Sequence, residues 1–509
     1  MSGTGVAPSA GGAPGPGEAR LLASGALLQG IAQASGLVAL LVIVTVLAHR
    51  LAPAALGAYG LVASLAGYLL VLRNSVASAA VRAMAAVLDP DERARMFSAA
   101  AALYAIVGLL TGLLIALVAL LIAGTILDGD LATDARAGGA GLGALTAVGI
   151  AASVWLDALR AERRFVRAAL TEIVAVSLYL ALMLTLILSG AGLAVVIALS
   201  GALPLLSGAL SFVVVRRSRL AARLVRGAVV RERVEAIVPT ASWLLVVELS
   251  TLAMYASSRL VLGAYRSATT VGHFEGPLRA HNLLYALGGA LAVPVVPTAS
   301  RYAAAGDRAR LRQLAVRGTR YTLALFVPVC VTLMVLAEPV LQVWLGERYG
   351  DGATALAILV SYWVLYGGLI VTPGFLVGAG RAPQLGRIFV TAAVLNLVLS
   401  LILTPKLGLE GPALATAIPF VLAFPLLLRN GLLASGTPLV ELARRAWLPA
   451  YSLGALLAAL LVAARLALDP ESAAAVIGLA VASVLAYWIA FASLVLDRDE
   501  RGVLLSRRG

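Results

Sequence analysis

The stretch LLASGALLQGIAQASGLVALLVIVTVLA, residues 21–48, decides what kind of protein this is, because not one of its side chains is charged. Wound as a helix at about 1.5 Å per residue, it outreaches the roughly 30 Å hydrocarbon core of a bilayer. It also exceeds the 7–15 apolar residues, roughly, of a secretory signal. The residues ahead of it, 1–20, are mostly Gly, Pro, Ala and Ser and lack the basic start of such a signal. The run therefore stays in the membrane as a first span, 25–48, behind a disordered tail, 1–24.

The rest of the chain repeats the pattern. Of its 509 residues 61% are apolar and 13% charged, with a mean hydropathy of +0.98. A soluble domain is nearer half apolar and a quarter charged. Further spans fall near 56–81, 98–124, 138–159, 168–189, 192–215, 238–263, 274–300, 321–345, 354–379, 387–405, 411–428, 447–467 and 472–496. The chain thus reads as an all-α integral membrane protein of fourteen transmembrane helices. Short connections leave no room for a soluble catalytic domain, the longest on the Arg50 side running only from Ile126 to Gly138.

Net charge is +14, from 38 Arg, Lys406 and 25 acids. No basic segment is interleaved with aromatics, which argues against nucleic acid as a partner. With the N-terminus cytoplasmic, strict alternation puts 30 basic residues inside and six outside, leaving Arg73, Arg259 and Arg279 within spans. That asymmetry is the positive-inside signature of a multi-pass protein of the cytoplasmic membrane with both termini inside. The single Cys330 and three scattered histidines offer no disulfide or metal site, and no cofactor motif or catalytic residue stands out. GxxxxGK[ST], HExxH and a usable GxSxG are missing, so neither ATP-driven transport nor hydrolysis is expected.

The chain also reads as an internal duplication. Gly57-Ala-Tyr59 opens span two and Gly272-His-Phe274 opens span eight, 215 residues on. Arg167 and Arg387 precede spans five and eleven, and the turn at Gly190–Gly192 matches that at Leu407–Gly411, both at nearly the same offset. Six spans per repeat is an even number, so the halves share one orientation about an axis along the membrane normal. The expected organisation is an N-lobe, 25–215; a basic cytoplasmic linker, 216–237; a C-lobe, 238–430; two added helices within 431–496; and a cytoplasmic tail, 497–509.

Charged groups inside spans mark the candidate site, since an ionised side chain in hydrocarbon costs several kcal/mol. Arg73 and Asn74 lie in span two, Glu248 and Arg259 in span seven, and Arg279, His281 and Asn282 in span eight. Arg279 and Asn282, three apart, share a helical face. Guanidinium forks match phosphate oxygens, so Arg73, Arg259 and Arg279 with Asn74 and Asn282 suit an anionic head group. Glu248 and His281 are candidates for ion coupling. The competing reading pairs Glu248 with Arg279 or Arg73 as a structural bridge. Asp157 and Glu172 are expected to pair with the arginine-rich loop beside them. Pro294, Pro297 and Pro373-Gly374 interrupt long helices as hinges or as packing features.

Five segments, in order, carry a resemblance: LGAYGLVASLAGYLLVLRNSVASAAVR (56–82), SSRLVLGAYRSATTVGHFEGPLR (257–279), VPTASR (296–301), EPVLQVWLGERYGDGATALAIL (338–359) and KLGLEGPALATA (406–417). Together they resemble the polysaccharide transporters, or lipid-linked oligosaccharide flippases, of the multidrug/oligosaccharidyl-lipid/polysaccharide (MOP) exporter superfamily, over roughly 25–430. The resemblance implies two pseudo-symmetric six-helix lobes that alternate access. It implies a polyprenyl-pyrophosphate-linked oligosaccharide as cargo, carried from the cytoplasmic to the outer leaflet, with Arg73 and Arg279 on its head group. Membrane lipids and glycan-assembly proteins are the further partners expected. An acid often found in the family where Ser258-Arg259 stands is replaced here by a base, and span one lacks the early arginines of a peptidoglycan-precursor flippase. The alternatives are a cation-coupled multidrug exporter of the same superfamily, which calls for an acid facing its cavity, a glycan polymerase or ligase, which calls for a large outer loop, and a non-transporting scaffold of a glycan-assembly complex.

Overall fold

The computed structural model describes residues 16–496 apart from 88, 163, 219–221, 226, 229–230, 239–257, 293–294, 379–380 and 471. Within these the chain is helical, with no strand. The N-terminal half runs α1 (Pro16–Arg50), α2 (Pro53–Ala86), α3 (Pro90–Thr125), α4 (Gly129–Ala152), α5 (Val154–Ala161), α6 (Phe165–Leu188), α7 (Leu193–Leu199) and α8 (Ala202–Arg217). After the short α9 (Arg231–Glu235), the second half holds α10 (258–265 in its described part), α11 (Ala268–Ala292), α12 (Val295–Ala304), α13 (Arg308–Val335), α14 (Ala337–Leu345), α15 (Ala353–Tyr366), α16 (Thr372–Gly378), α17 (Ala382–Leu407) and α18 (Glu410–Ser435). Then come α19 (Leu439–Leu442), a π-helical turn (Ala443–Trp447), α20 (Leu448–Leu468) and α21 (Ala473–Leu494).

Local chemistry sets the boundaries. Proline opens α2 and α3, where its missing N–H costs nothing. Asp89 caps α3 by accepting from the Glu92 N–H at 2.8 Å, and Asp307 caps α13 by accepting from Arg310 N–H at 3.0 Å. Helix α1 begins at Pro16, inside the stretch read as tail, where Pro16 and Glu18 suit a first helical turn. Residues 1–15 and 497–509, which hold the rest of the two expected tails, lie outside the described residues.

Ten described helical stretches are long and apolar enough to cross a membrane, and eleven if the α7–α8 pair, bent by 43°, counts as one. The count of fourteen meets this test only in part. Helix α2 covers expected span two, and α11 covers most of expected span eight but begins at Ala268 rather than 274 and ends at Ala292, before the separate α12; α2 carries Arg73, and α11 carries Glu275, Arg279 and His281. Most of expected span seven, with Glu248, lies outside the described residues. Span nine is shifted: expected at 321–345, it is α13 from Arg308, and 337–345 forms the separate α14. Periodicity placed its start too late because arginines fill the first turns of α13.

The two halves repeat one packing pattern. In the first, α1 packs on α6, α2 on α3, α3 on α4, and α8 on both α4 and α6. In the second, α13 packs on α15, and α18 on both α15 and α17, as the duplication requires. Helices α20 and α21 lie against α13, where Thr332 and Ser483 share a hydrogen bond of 2.9 Å. The bundle's outer face is apolar, with Leu113 of α3 61% and Ile489 of α21 70% exposed. A surface of this kind belongs in lipid.

The lobes meet along α2 and α11, the two helices that the 215-residue offset equates. A Cβ on Gly57 would lie 1.7 Å from the Ala268 carbonyl oxygen, and one on Gly272 2.0 Å from that of Pro53. Adding 215 to Pro53 and Gly57 gives Ala268 and Gly272, so the two contacts are one contact seen from both sides of a pseudo-twofold axis. Only glycine lets the backbones approach so closely. The same end is tied by Trp344, which donates to Thr45 Oγ1 at 2.6 Å, and by Arg348, which donates to the Ala48 and Leu51 carbonyls at 2.8 Å. This is the Pro53 end; Arg82 and the linker lie at the other.

Candidate functional site

Below that seal, helices α1, α2, α4, α6 and α8 of the N-lobe and α10 and α11 of the C-lobe enclose a cavity of about 410 Å³. Its polar lining includes Tyr59, Ser64, Tyr179, Arg259, Arg279 and Asn282 among the described residues. Helical geometry explains which groups arrive there. Glu275, Arg279 and Asn282 stand at i, i+4 and i+7 on one face of α11. Arg259 reaches the same place from α10 across the short turn at Arg266-Ser267.

Glu275 organises the pair. It is fully buried, and its carboxylate accepts from Arg259 through both oxygens and lies 3.3 Å from Arg279 Nε. A Cβ on Gly60 would strike this carboxylate at 2.3 Å, so α2 closes over it. One carboxylate thus bridges two guanidiniums at the cavity wall. Burial makes the arrangement obligatory, because an uncompensated ion in a low-dielectric interior costs several kcal/mol. Sequence reading passed over Glu275 because it sits at the edge of span eight. Its i,i+4 spacing to Arg279 was the available signal.

The structure divides the other candidates. Arg73 is not among the cavity's lining residues. Its guanidinium donates to Asp157 Oδ2 at 2.5 Å and to Ser153 Oγ at 3.1 Å. Asp157 also accepts from Tyr104 at 2.7 Å and Arg160 at 2.8 Å, and Arg160 reaches Glu172 at 2.8 Å. The partners of Asp157 thus include span two as well as the neighbouring loop. Asn74 differs: Ser64, Gly67 and Leu70 line the cavity, and Asn74 continues their helical face one turn on, where it is exposed.

His281 is fully buried on the opposite side of α11, because two residues past Arg279 is more than half a turn. Its ring packs 5.7 Å from Tyr362 and 5.9 Å from Trp363, and its Nδ1 accepts from Trp363 Nε1 at 3.2 Å. It does not face the cavity. Glu248, the other coupling candidate, lies outside the described residues, as does Pro294.

Comparison with known proteins places this architecture. Residues 46–353 match the model of a family described as polysaccharide biosynthesis protein. A probable low-salt glycan biosynthesis flippase of Haloferax volcanii is 21% identical over 160 residues, which is 31% of this chain and 34% of that relative. The match therefore spans about a third of the relative's length. Among solved structures, the lipid II flippase MurJ in an inward closed conformation superposes with a TM-score of 0.69 at 16% identity, over 92% of this chain and 100% of that one. An inward-facing multidrug resistance MATE transporter of the MOP superfamily gives 0.66 at 17% identity, over 81% and 95%. A MOP superfamily transporter from Pyrococcus furiosus gives 0.58 at 15% identity, over 82% and 96%. At these identities the superpositions speak for the fold, and the family match covers more than half of the chain. The chain belongs to the polysaccharide biosynthesis protein family, and its all-helical, multi-span fold is that of the MurJ and MATE structures.

Proposed function

We propose that the protein flips a polyprenyl-pyrophosphate-linked oligosaccharide from the cytoplasmic to the outer leaflet by alternating access, with the pyrophosphate received by Arg259, Arg279 and Asn282. The observation that carries the reading is the cavity wall itself: two guanidiniums and a carboxamide, with their counter-ion Glu275 behind them. A phosphate entering from the cavity meets donors that Glu275 holds in place and that are already desolvated. In this reading Arg73 holds α2 to α5 through Asp157, and Asn74 guides the sugar at the cavity's mouth. The basic asymmetry of the loops puts the Arg82 end in the cytoplasm and the sealed Pro53 end outside. The glycan relative and the lipid II flippase fold support the lipid-linked cargo.

The test is export of surface glycan in cells that carry Arg279→Ala or Arg279→Lys as the sole copy. Both are expected to reach wild-type levels in the membrane and to fail in export. Lys should recover part of it, as a point charge without the bidentate fork. Normal export by Arg279→Ala would end the head-group assignment.

A further inference from the structure

The N-lobe wall of the cavity is a broken helix. The span that begins after Gly192 bends by 43° between α7 and α8. Ser200, Gly201, Leu203 and Pro204, around the break, line the cavity together with Thr146 and Tyr179. Gly201 allows the approach of α4 at this point. A Cβ there would lie 2.8 Å from Leu142 Cδ1 and 2.9 Å from Thr146 Oγ1, so the Thr146 hydroxyl stands beside bare backbone.

A break inside a membrane frees both donors and acceptors. Two of the acceptors are already taken: the Tyr179 hydroxyl donates to the Ser200 carbonyl at 3.3 Å, and Ser200 Oγ donates to that of Ile197 at 2.6 Å. The donors are open. The first N–H groups of α8 have no acceptor within their own helix. Gly201 at the cap position has no side chain to offer them, and the first turn holds no acid. The sixteen residues of α8 put the positive end of their summed peptide dipoles there. Thr146 is a second and independent sign. It is 1% exposed, and its hydroxyl has no hydrogen-bond partner. Leaving a buried hydroxyl unpaired is unfavourable, so an acceptor is called for beside it.

Open N–H groups, a positive helix end and an unpaired hydroxyl all suit an anionic oxygen. Arg279 is near enough to act electrostatically on Tyr179, which touches the break, so the two walls face one ligand. We propose that the break at Gly201 is a second phosphate subsite, where the start of α8 and Thr146 Oγ1 take one phosphate of a diphosphate head group while Arg259, Arg279 and Asn282 hold the other. The inference rests on the reading of the cavity as a pyrophosphate site, and adds that the cargo ties the N-lobe to the C-lobe. A carrier with a single phosphate engages one wall only, so the transporter selects diphosphate over monophosphate lipids.

The experiment uses purified full-length protein in neutral detergent. Pyrophosphate or orthophosphate is titrated in at constant ionic strength, and binding is measured by calorimetry. Wild type is expected to bind pyrophosphate at least about tenfold more tightly than orthophosphate. Thr146→Val keeps the shape and removes the hydroxyl. It should weaken pyrophosphate about tenfold, through loss of a hydrogen bond to a charged group, and leave orthophosphate on the arginines unchanged. Thr146→Ser should bind as wild type does. Without ligand, Thr146→Val should melt no lower than wild type, since its hydroxyl has no partner in the fold to lose. Arg279→Ala should weaken both anions. Normal pyrophosphate binding by Arg279→Ala would overturn the underlying reading of the cavity. Loss of binding in Arg279→Ala with normal binding in Thr146→Val, equal weakening of both anions by Thr146→Val, or a lower melting point for it would each overturn the second subsite and leave the arginine site standing. Binding of neither anion by wild type would overturn both.

Discussion

Replacing Glu275 by Gln probes the cavity most directly. The carboxylate is fully buried and lies 3.3 Å from Arg279 Nε while also holding Arg259. At an effective dielectric near 20, a unit pair at that separation attracts by roughly 5 kcal/mol. Desolvation of the ions offsets much of this, yet removing one member of a buried ion group costs about 3–5 kcal/mol. Gln keeps the shape and one acceptor oxygen, so the loss should fall near the low end, about 3 kcal/mol. The same substitution clears the guanidiniums for an incoming anion. At a hundredfold excess over its Kd, pyrophosphate would return about 2.7 kcal/mol, most of the loss. The assay is melting of the purified protein by tryptophan fluorescence, with and without pyrophosphate at constant ionic strength. Glu275→Gln should melt several degrees below wild type without the anion, and should gain more from the anion than wild type does. Equal melting without pyrophosphate, or equal stabilisation of both proteins by it, would refute the reasoning.

Three further outcomes follow from the geometry. Arg73→Ala and Asp157→Asn should each destabilise the protein, and in a double-mutant cycle they should couple by about 0.5–3 kcal/mol, as measured by melting; additive losses would free Arg73 from its positioning role. Gly57→Val drives side-chain atoms into the Ala268 carbonyl, so it should lower stability by at least about 1–3 kcal/mol, whereas Gly36→Ala, with open space around it, should be neutral in the same melts. Orientation can be read by cysteine labelling, because native Cys330 is fully buried. An impermeant maleimide applied to intact cells should label Ser189→Cys but not Arg164→Cys, and the reverse pattern would invert the topology.

The membrane class was written into the chain by composition, because a bilayer demands long uncharged helices wherever backbone meets lipid. The duplication was legible too, since Gly57 and Gly272 stand at the constant offset that later proved to be a contact. Span boundaries were less so where arginines ride on helix ends, as at Arg308–Arg320, since hydropathy stops at a charge and a helix does not. Among the candidate residues, a charge inside a span announced only that it must have a partner. Arg73 and Arg279 looked alike in sequence, each an arginine within a motif-bearing span. The first is held by Asp157, 84 residues away, and the second by Glu275 on its own helix.

Sequence by itself thus determined the solvent this protein lives in, its all-helical class, its two-fold repetition and its excess of positive charge, for these depend on local pattern and summed composition. Only the tertiary structure decided which arginines look into the cavity, that His281 turns its back on it, and that Glu275 stands behind Arg259 and Arg279. Pairing between buried ions is set by distances across helices, and those are fixed by packing of the whole bundle rather than by spacing along the chain.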